Sequence, residues 1–170
     1  LNNLTADKEE PFVNTLIAYF SYTGHTKGIA QQIQALTGGD LFEIRPAAPY
    51  SQDYDTAERQ GRKETRDGFH PPLAEAAPDL SGYDAVLLGT PNWFNNVAPP
   101  VATFLAENDF EGKPIALFCT NGGGGLGHIP SDIKAQCKNA KLLDSLNLYE
   151  DGGADAKAKI SDWLKKNGLL

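Results

Sequence analysis

Short, nearly unbroken apolar segments alternate with stretches of helical periodicity along this chain, and that alternation confines it to one class of fold. The strand-length runs are TLIAYF (15–20), DLFEI (40–44), DAVLLG (84–89), PIALFC (114–119) and a weaker KLLDSLNLY (141–149). Unbroken apolar runs are expected of parallel strands covered on both faces. After the first run, Ile29, Ile33 and Leu36 recur at i, i+4, i+7 before Gly38 and Gly39 stop the helix. After the third, Pro99 and Pro100 suit a first helical turn, with Val101, Phe104 and Leu105 as its buried stripe. Pro130 and Ser131 lead into a helix carrying Ile133 and Cys137, and Ala156, Ile160, Trp163 and Leu164 mark a last helix ending near Gly168. The long polar segment 45–80 holds a helix from Asp53 to Asp67, followed by a Pro-rich return. Strand, helix, strand with short links predicts an α/β domain around a parallel sheet. Ligands of such sheets bind beyond the carboxyl ends of the strands, where strand order reverses. The loops after the first, third and fourth strands are therefore the place to look.

A length of 170 residues fits a single domain with its own core. With 22 acidic against 15 basic side chains, the net charge is −7. Nucleic acid binds through clustered Lys and Arg, so neither nucleic acid nor an anionic membrane surface is an expected partner. No apolar run approaches the ~20 residues that span a bilayer. Residues 1–12, LNNLTADKEEPF, have neither the basic start nor the apolar centre of a signal peptide. They are read as a disordered segment, tag scar or tether, with residues 13–170 as the domain. The expected location is the cytoplasm, with export after loss of an N-terminal signal as the alternative.

The first strand ends in SYTGHTKG, residues 21–28. A helix N-terminus offers unpaired backbone N–H groups and about half a positive charge, and so favours anions. Ser21, Thr23 and Thr26 add hydroxyls, Gly24 lets the backbone approach closely, and His25 adds a donor. Any one of these Thr residues alone reads better as an ordinary helix cap, but the whole cluster points to a phosphate. It is not a Walker A loop, GxxxxGK[ST] being absent, and it lacks the GxGxxG of a dinucleotide turn. It also holds no Cys, which removes a thiolate phosphatase.

S-x-T-G-x-T in this position closely resembles the FMN phosphate-binding loop of the flavodoxin family, and the resemblance extends over residues 14–166. The similar sequences are bacterial ones with a Pro-Pro helix start and a Gly-rich fourth loop. The resemblance implies a flavodoxin-like, doubly wound, five-stranded parallel sheet of order 2-1-3-4-5 with helices on both faces. It implies FMN as cofactor, with its phosphate at Ser21, Tyr22, Thr23, Gly24, His25 and Thr26.

The third strand runs into GTPNWFNNVAPP. A Trp-Phe pair there either closes the core or forms a platform for a planar ligand. Phe94 alone reads as core, whereas Trp93, bracketed by Asn92, Asn95 and Asn96, reads as presented. In the resembled family this loop covers one face of the flavin ring, which assigns Thr90, Pro91, Asn92, Trp93, Phe94 and Asn95 as one wall. Asn95 stands where many members have Gly, and Asn enters positive φ less freely. The fourth strand ends in CTNGGGGLGHIP. By resemblance Thr120, Asn121, Gly122, Gly123 and Gly124 lie against the ring edge. Gly122, Gly124 and Gly127 match GxGxxG by spacing, but a Gly run does so by chance and the helix starts later, at Pro130. Residues 120–127 hold no aromatic, so Tyr50, Tyr54 or Phe69 covers the outer face of the ring, or that face is open.

His25, His70, His128, Cys119 and Cys137 show no metal-ligand spacing, and no metal is expected. Both cysteines read as small core residues. The charges from Asp53 to Asp67 read as a solvated helix face, and Glu150 and Asp151 as surface acids on the rim of the site. No catalytic residue is assigned. The expected function is that of an FMN-dependent electron carrier between a reductase and an acceptor protein. The alternatives are an FMN-dependent NAD(P)H:quinone reductase and a flavodoxin-fold binding module without cofactor.

Overall fold

The computed structural model describes residues 14–170, so the tether expected at residues 1–12 lies outside the described residues. In chain order the elements are β1 (Thr15–Tyr19), α1 (His25–Thr37), β2 (Asp40–Glu43), α2 (Tyr54–Asp67), β3 (Ala85–Trp93) and β4 (Asn96–Val97). They continue with α3 (Pro99–Glu107), β5 (Pro114–Asn121), α4 (Ile129–Gln136), β6 (Lys141–Leu142), β7 (Leu146–Tyr149) and α5 (Ala156–Lys166). No helix among the described residues is long and apolar enough to cross a membrane.

The sheet runs β2-β1-β3-β5-β6, all parallel, with β7 also on β5. This is the doubly wound order expected from the sequence, with two additions. The fifth strand is split into β6 and β7, because at Asp144 the backbone turns away from the ladder. The Asp144 amide donates to Asn167 Oδ1 at 3.0 Å, and its carbonyl accepts from Trp163 Nε1 at 2.6 Å. The other addition, β4, is a short antiparallel partner of the end of β3.

Strand pleating distributes alternate residues to the two faces. Leu16, Ala18 and Phe20 join a core under α2, α3 and α4, whereas Ile17 and Tyr19 join the core under α1 and α5. Helix α2 starts at an N-cap, Asp53, whose Oδ2 accepts from the Thr56 amide at 3.0 Å, and ends on the left-handed Gly68. Its outer face carries Glu58–Arg62 and Lys63–Asp67 pairs, as a solvated helix face should. Glu64 departs from that expectation: it is turned inward and buried. Cys119 and Cys137 are buried and free, and burial pushes the Cys119 thiol up to about 12.

At Gly89, near the end of β3, a Cβ would lie 2.4 Å from the Phe118 ring and 2.8 Å from Tyr19 Cβ. Both faces are closed there, and the central strands cannot shift without breaking register. Gly89→Ala is expected to lower the unfolding free energy by about 2 kcal/mol or more through overpacking. Denaturant titration checks this, and a loss below about 0.5 kcal/mol would show that the site can relax.

Candidate functional site

Strands β1, β3 and β5 end together at one edge of the sheet, and the loops that follow them converge there. The reversal of strand order falls between β1 and β3. The first loop forms a concave turn. Gly24 adopts φ 99°, and its amide donates to Ser21 Oγ at 3.2 Å. Among the described residues, the amides of Thr23, His25, Thr26 and Lys27 meet no protein acceptor. The next amide, Gly28, already bonds to the Gly24 carbonyl at 3.0 Å, as the first intrahelical bond should. Thr23 and Gly24 are exposed, and Ser21, Tyr22 and His25 are half-buried.

Thr26 is placed differently from its neighbours. It is 2% exposed, and its hydroxyl lies 2.8 Å from that of Thr120, itself buried at the end of β5. This pair ties the start of α1 to the sheet, so Thr26 offers the loop its amide while its hydroxyl serves the core. Thr90 is likewise fully buried. Its hydroxyl accepts from the Ala98 amide at 3.0 Å and donates to the Pro91 carbonyl, so it shapes the loop from beneath instead of walling it.

Beyond Thr90 the chain makes a two-residue hairpin between β3 and β4. Phe94 (φ 57°) and Asn95 (φ 65°) are both left-handed. That is the turn favoured by the twist of a hairpin, but a bulky residue enters it at a cost. Three contacts hold it. Asn92 Oδ1 accepts from the Asn95 amide at 2.8 Å, Asn96 Nδ2 donates to the Phe94 carbonyl at 2.7 Å, and the Arg62 guanidinium sits 4.6 Å from the Phe94 ring centre. Phe94 is therefore a half-buried tip residue under an arginine, not a core residue. Its neighbour Trp93 is packed on three sides as well as presented: it meets Phe20, Tyr22 and Tyr50 edge-on at 5.4, 5.9 and 5.0 Å.

The Gly-rich loop after β5 is fastened to this hairpin. Asn92 Nδ2 donates to the Gly125 carbonyl at 2.8 Å, and the His128 amide donates to the Asn95 carbonyl at 2.8 Å. A Cβ at Gly127 would lie 2.7 Å from Asn95 Cα, so only glycine permits this approach. Asn121 Oδ1 takes the amides of Gly123 and Gly125, which removes the Gly123 amide from any ring edge and leaves those of Gly122 and Gly124. A Cβ at Gly122 or Gly123 would touch no protein atom within 4 Å.

Tyr22, Asn92, Trp93 and Phe94 line an open cleft of about 130 Å³ together with Tyr54, Ala57 and Glu58 from α2. The α2 contribution is absent from the sequence analysis, which weighed Tyr54 only as one of three aromatics. Of those three, Tyr54 stands at the cleft, 64% exposed. Tyr50 is buried, and Phe69 lies at the far end of α2. Tyr22 connects the cleft to the first loop, anchored by its hydroxyl on the Ser51 carbonyl at 2.7 Å.

The buried Thr26–Thr120 pair generates a test of this assembly. Thr26→Val leaves the Thr120 hydroxyl unpaired and is expected to lower stability by about 1–3 kcal/mol. The Thr26→Val/Thr120→Val double variant should recover part of that loss. Additive losses in denaturant titrations would mean that the two hydroxyls do not interact.

Comparison with known proteins agrees with this fold. Residues 14–167 match the family model described as Flavodoxin. The chain is 32% identical over 108 residues to Flavodoxin 1 of Salmonella typhimurium, covering 61% of this chain and 47% of that one. It is 30% identical over 118 residues to an NAD(P)H dehydrogenase (quinone) of Paracoccus denitrificans, covering 64% and 54%. The chain thus spans about half the length of the curated relatives it matches. Among solved structures, a candidate flavoprotein from Bacteroides eggerthii superposes with a TM-score of 0.81 at 28% identity, over 93% of this chain and 99% of that one. A Lactobacillus acidophilus flavoprotein in complex with FMN shares the fold, with a TM-score of 0.72 at 21% identity over 89% and 98%. With a family match over nearly all the described residues, the chain belongs to the flavodoxin family.

Proposed function

We propose that this chain binds FMN and carries electrons between a reductase and an acceptor protein. One observation carries the reading: among the described residues, four neighbouring backbone amides, at Thr23, His25, Thr26 and Lys27, lack a protein acceptor beside a cleft lined by aromatic rings. Unpaired amides at the start of α1 suit a phosphate, and an aromatic-lined slot suits a flat ring. FMN joins the two chemistries in one molecule. The family membership supports the same fit.

When bound, the flavin supplies the redox chemistry, and the protein supplies position and electrostatics. The amides of the first loop and the Thr23 hydroxyl hold the phosphate, with Ser21, Gly24 and His25 shaping the turn. Tyr22, Trp93 and Phe94 exclude water from the slot. Asn92 fixes the hairpin to the Gly-rich loop, and the Gly122 and Gly124 amides face the space beside it. No side chain in this arrangement has to exchange a proton with a substrate.

A small FMN-dependent NAD(P)H:quinone reductase is the second reading. It is supported by the likeness to an NAD(P)H dehydrogenase (quinone) and by a Gly-rich loop without an aromatic to cover the ring. The two readings separate in one assay of the purified, FMN-loaded protein. A carrier leaves NAD(P)H and a quinone unreacted until a reductase is added, whereas an enzyme oxidises NAD(P)H alone.

Thr23→Ala removes an exposed hydroxyl from the cradle and is expected to weaken FMN binding by about 1–3 kcal/mol, since a donor to a charged phosphate is lost. Riboflavin, which has no phosphate, should bind both forms equally. Unchanged FMN affinity, measured by flavin fluorescence, would remove Thr23 from the phosphate site.

A further inference from the structure

The one acid of α2 turned into the core has no cation to meet. Glu64 is 9% exposed and, among the described residues, takes part in no salt bridge. Its Oε2 accepts from the Tyr50 hydroxyl at 2.5 Å, and its Oε1 accepts from Gln60 Nε2 at 2.9 Å. Burial, together with the neighbouring Glu64, pushes the Tyr50 phenol well above the usual tyrosine range, so it stays a donor.

Tyr50 is in turn the nearest ring to Trp93, 5.0 Å away and steeply inclined at 72°. On another side the indole lies on α2 at Gly61, where an added Cβ would come within 2.9 Å of Cε3 and Cζ3. Gln60, Gly61 and Glu64 therefore work as a unit: Gln60 holds Glu64, Glu64 holds Tyr50, and Gly61 receives Trp93. Trp93 also meets Tyr22 of the first loop. A chain of contacts thus runs from a buried acid on α2 to the cleft and the phosphate cradle.

An apolar side chain would fill the Glu64 position with less desolvation penalty. Hydrogen bonds constrain direction where apolar packing does not. We propose that Glu64 is a positioning residue: through the Tyr50 hydroxyl it fixes the Trp93 indole as the wall of the cofactor cleft. The assignment rests on reading that cleft as the flavin slot.

The test uses three variants, Glu64→Leu, Tyr50→Phe and Glu64→Gln, in a Trp163→Phe background that leaves Trp93 as the single tryptophan. Acrylamide quenching of Trp93 is first measured on the FMN-free protein, and FMN affinity is then measured on the same samples. Glu64→Leu and Tyr50→Phe should make Trp93 more quenchable and weaken FMN by about 10-fold or more. Glu64→Gln, which keeps an acceptor for Tyr50, should restore both readouts to within about 3-fold. Unchanged Trp93 quenching in Tyr50→Phe overturns the proposal, and that variant alters a single oxygen, so it stays informative if Glu64→Leu does not fold. A looser Trp93 with unchanged FMN affinity overturns the link to the cofactor. An acid with only a structural role would lower thermal stability while leaving both readouts of the folded fraction in place. If the parent protein takes up no FMN, the flavin reading fails by itself, and the quenching arm still decides whether Glu64 positions Trp93.

Discussion

Parallel strands end with their carboxyl termini on one edge, so the loops that follow β1, β3 and β5 must meet. The rest of the molecule depends on that constraint. The chain leaves β1 straight into α1, which sets unpaired amides at the same edge where β3 and β5 stop. The buried Thr26–Thr120 hydroxyl pair then fixes the start of α1 to the end of β5, and Gly89 lets the neighbouring strands close around Phe118. A concave turn with unpaired amides results before any ligand is considered.

What the strands bring together, the hairpin shapes. Phe94 sits beside Asn95 in a left-handed backbone region that Phe does not favour, held by Asn92, Asn96, Arg62 and the close approach of Gly127. Backbone strain of this kind collects at ligand sites, where the surrounding structure over-determines it. Here the hairpin is bonded to the Gly-rich loop and also lines the aromatic cleft on α2. The hairpin is thus the common wall of both.

Much of this could be read from residue order. The five apolar runs gave the strands, the Pro-Pro and Gly punctuation gave the helices, and SYTGHTKG gave the tight turn into α1, because each signal is local. Long-range partners were harder to read. Thr26 looks like a phosphate ligand in its motif, and only the packing of α1 on β5 turns its hydroxyl to Thr120. Glu64 looks like one more solvated charge among eight on its helix, and only the return of Tyr50 across α2 gives it a buried partner. The hairpin carried a weak local signal, since Phe is a rare occupant of a left-handed position and Asn95 was weighed as a substitute for Gly. The break between β6 and β7 is set by Trp163 of α5 and by Asn167 just after it, which no window around Asp144 contains.

The central claim is that the first loop and the cleft together form an FMN site, and flavin-fluorescence titration of the cofactor-free protein tests it most directly. FMN should bind one per chain with its fluorescence changed. Because riboflavin lacks the phosphate that the four amides would hold, it should bind at least about 100-fold more weakly. Equal affinity for the two flavins would contradict the phosphate cradle, and no binding of either would contradict the site as a whole.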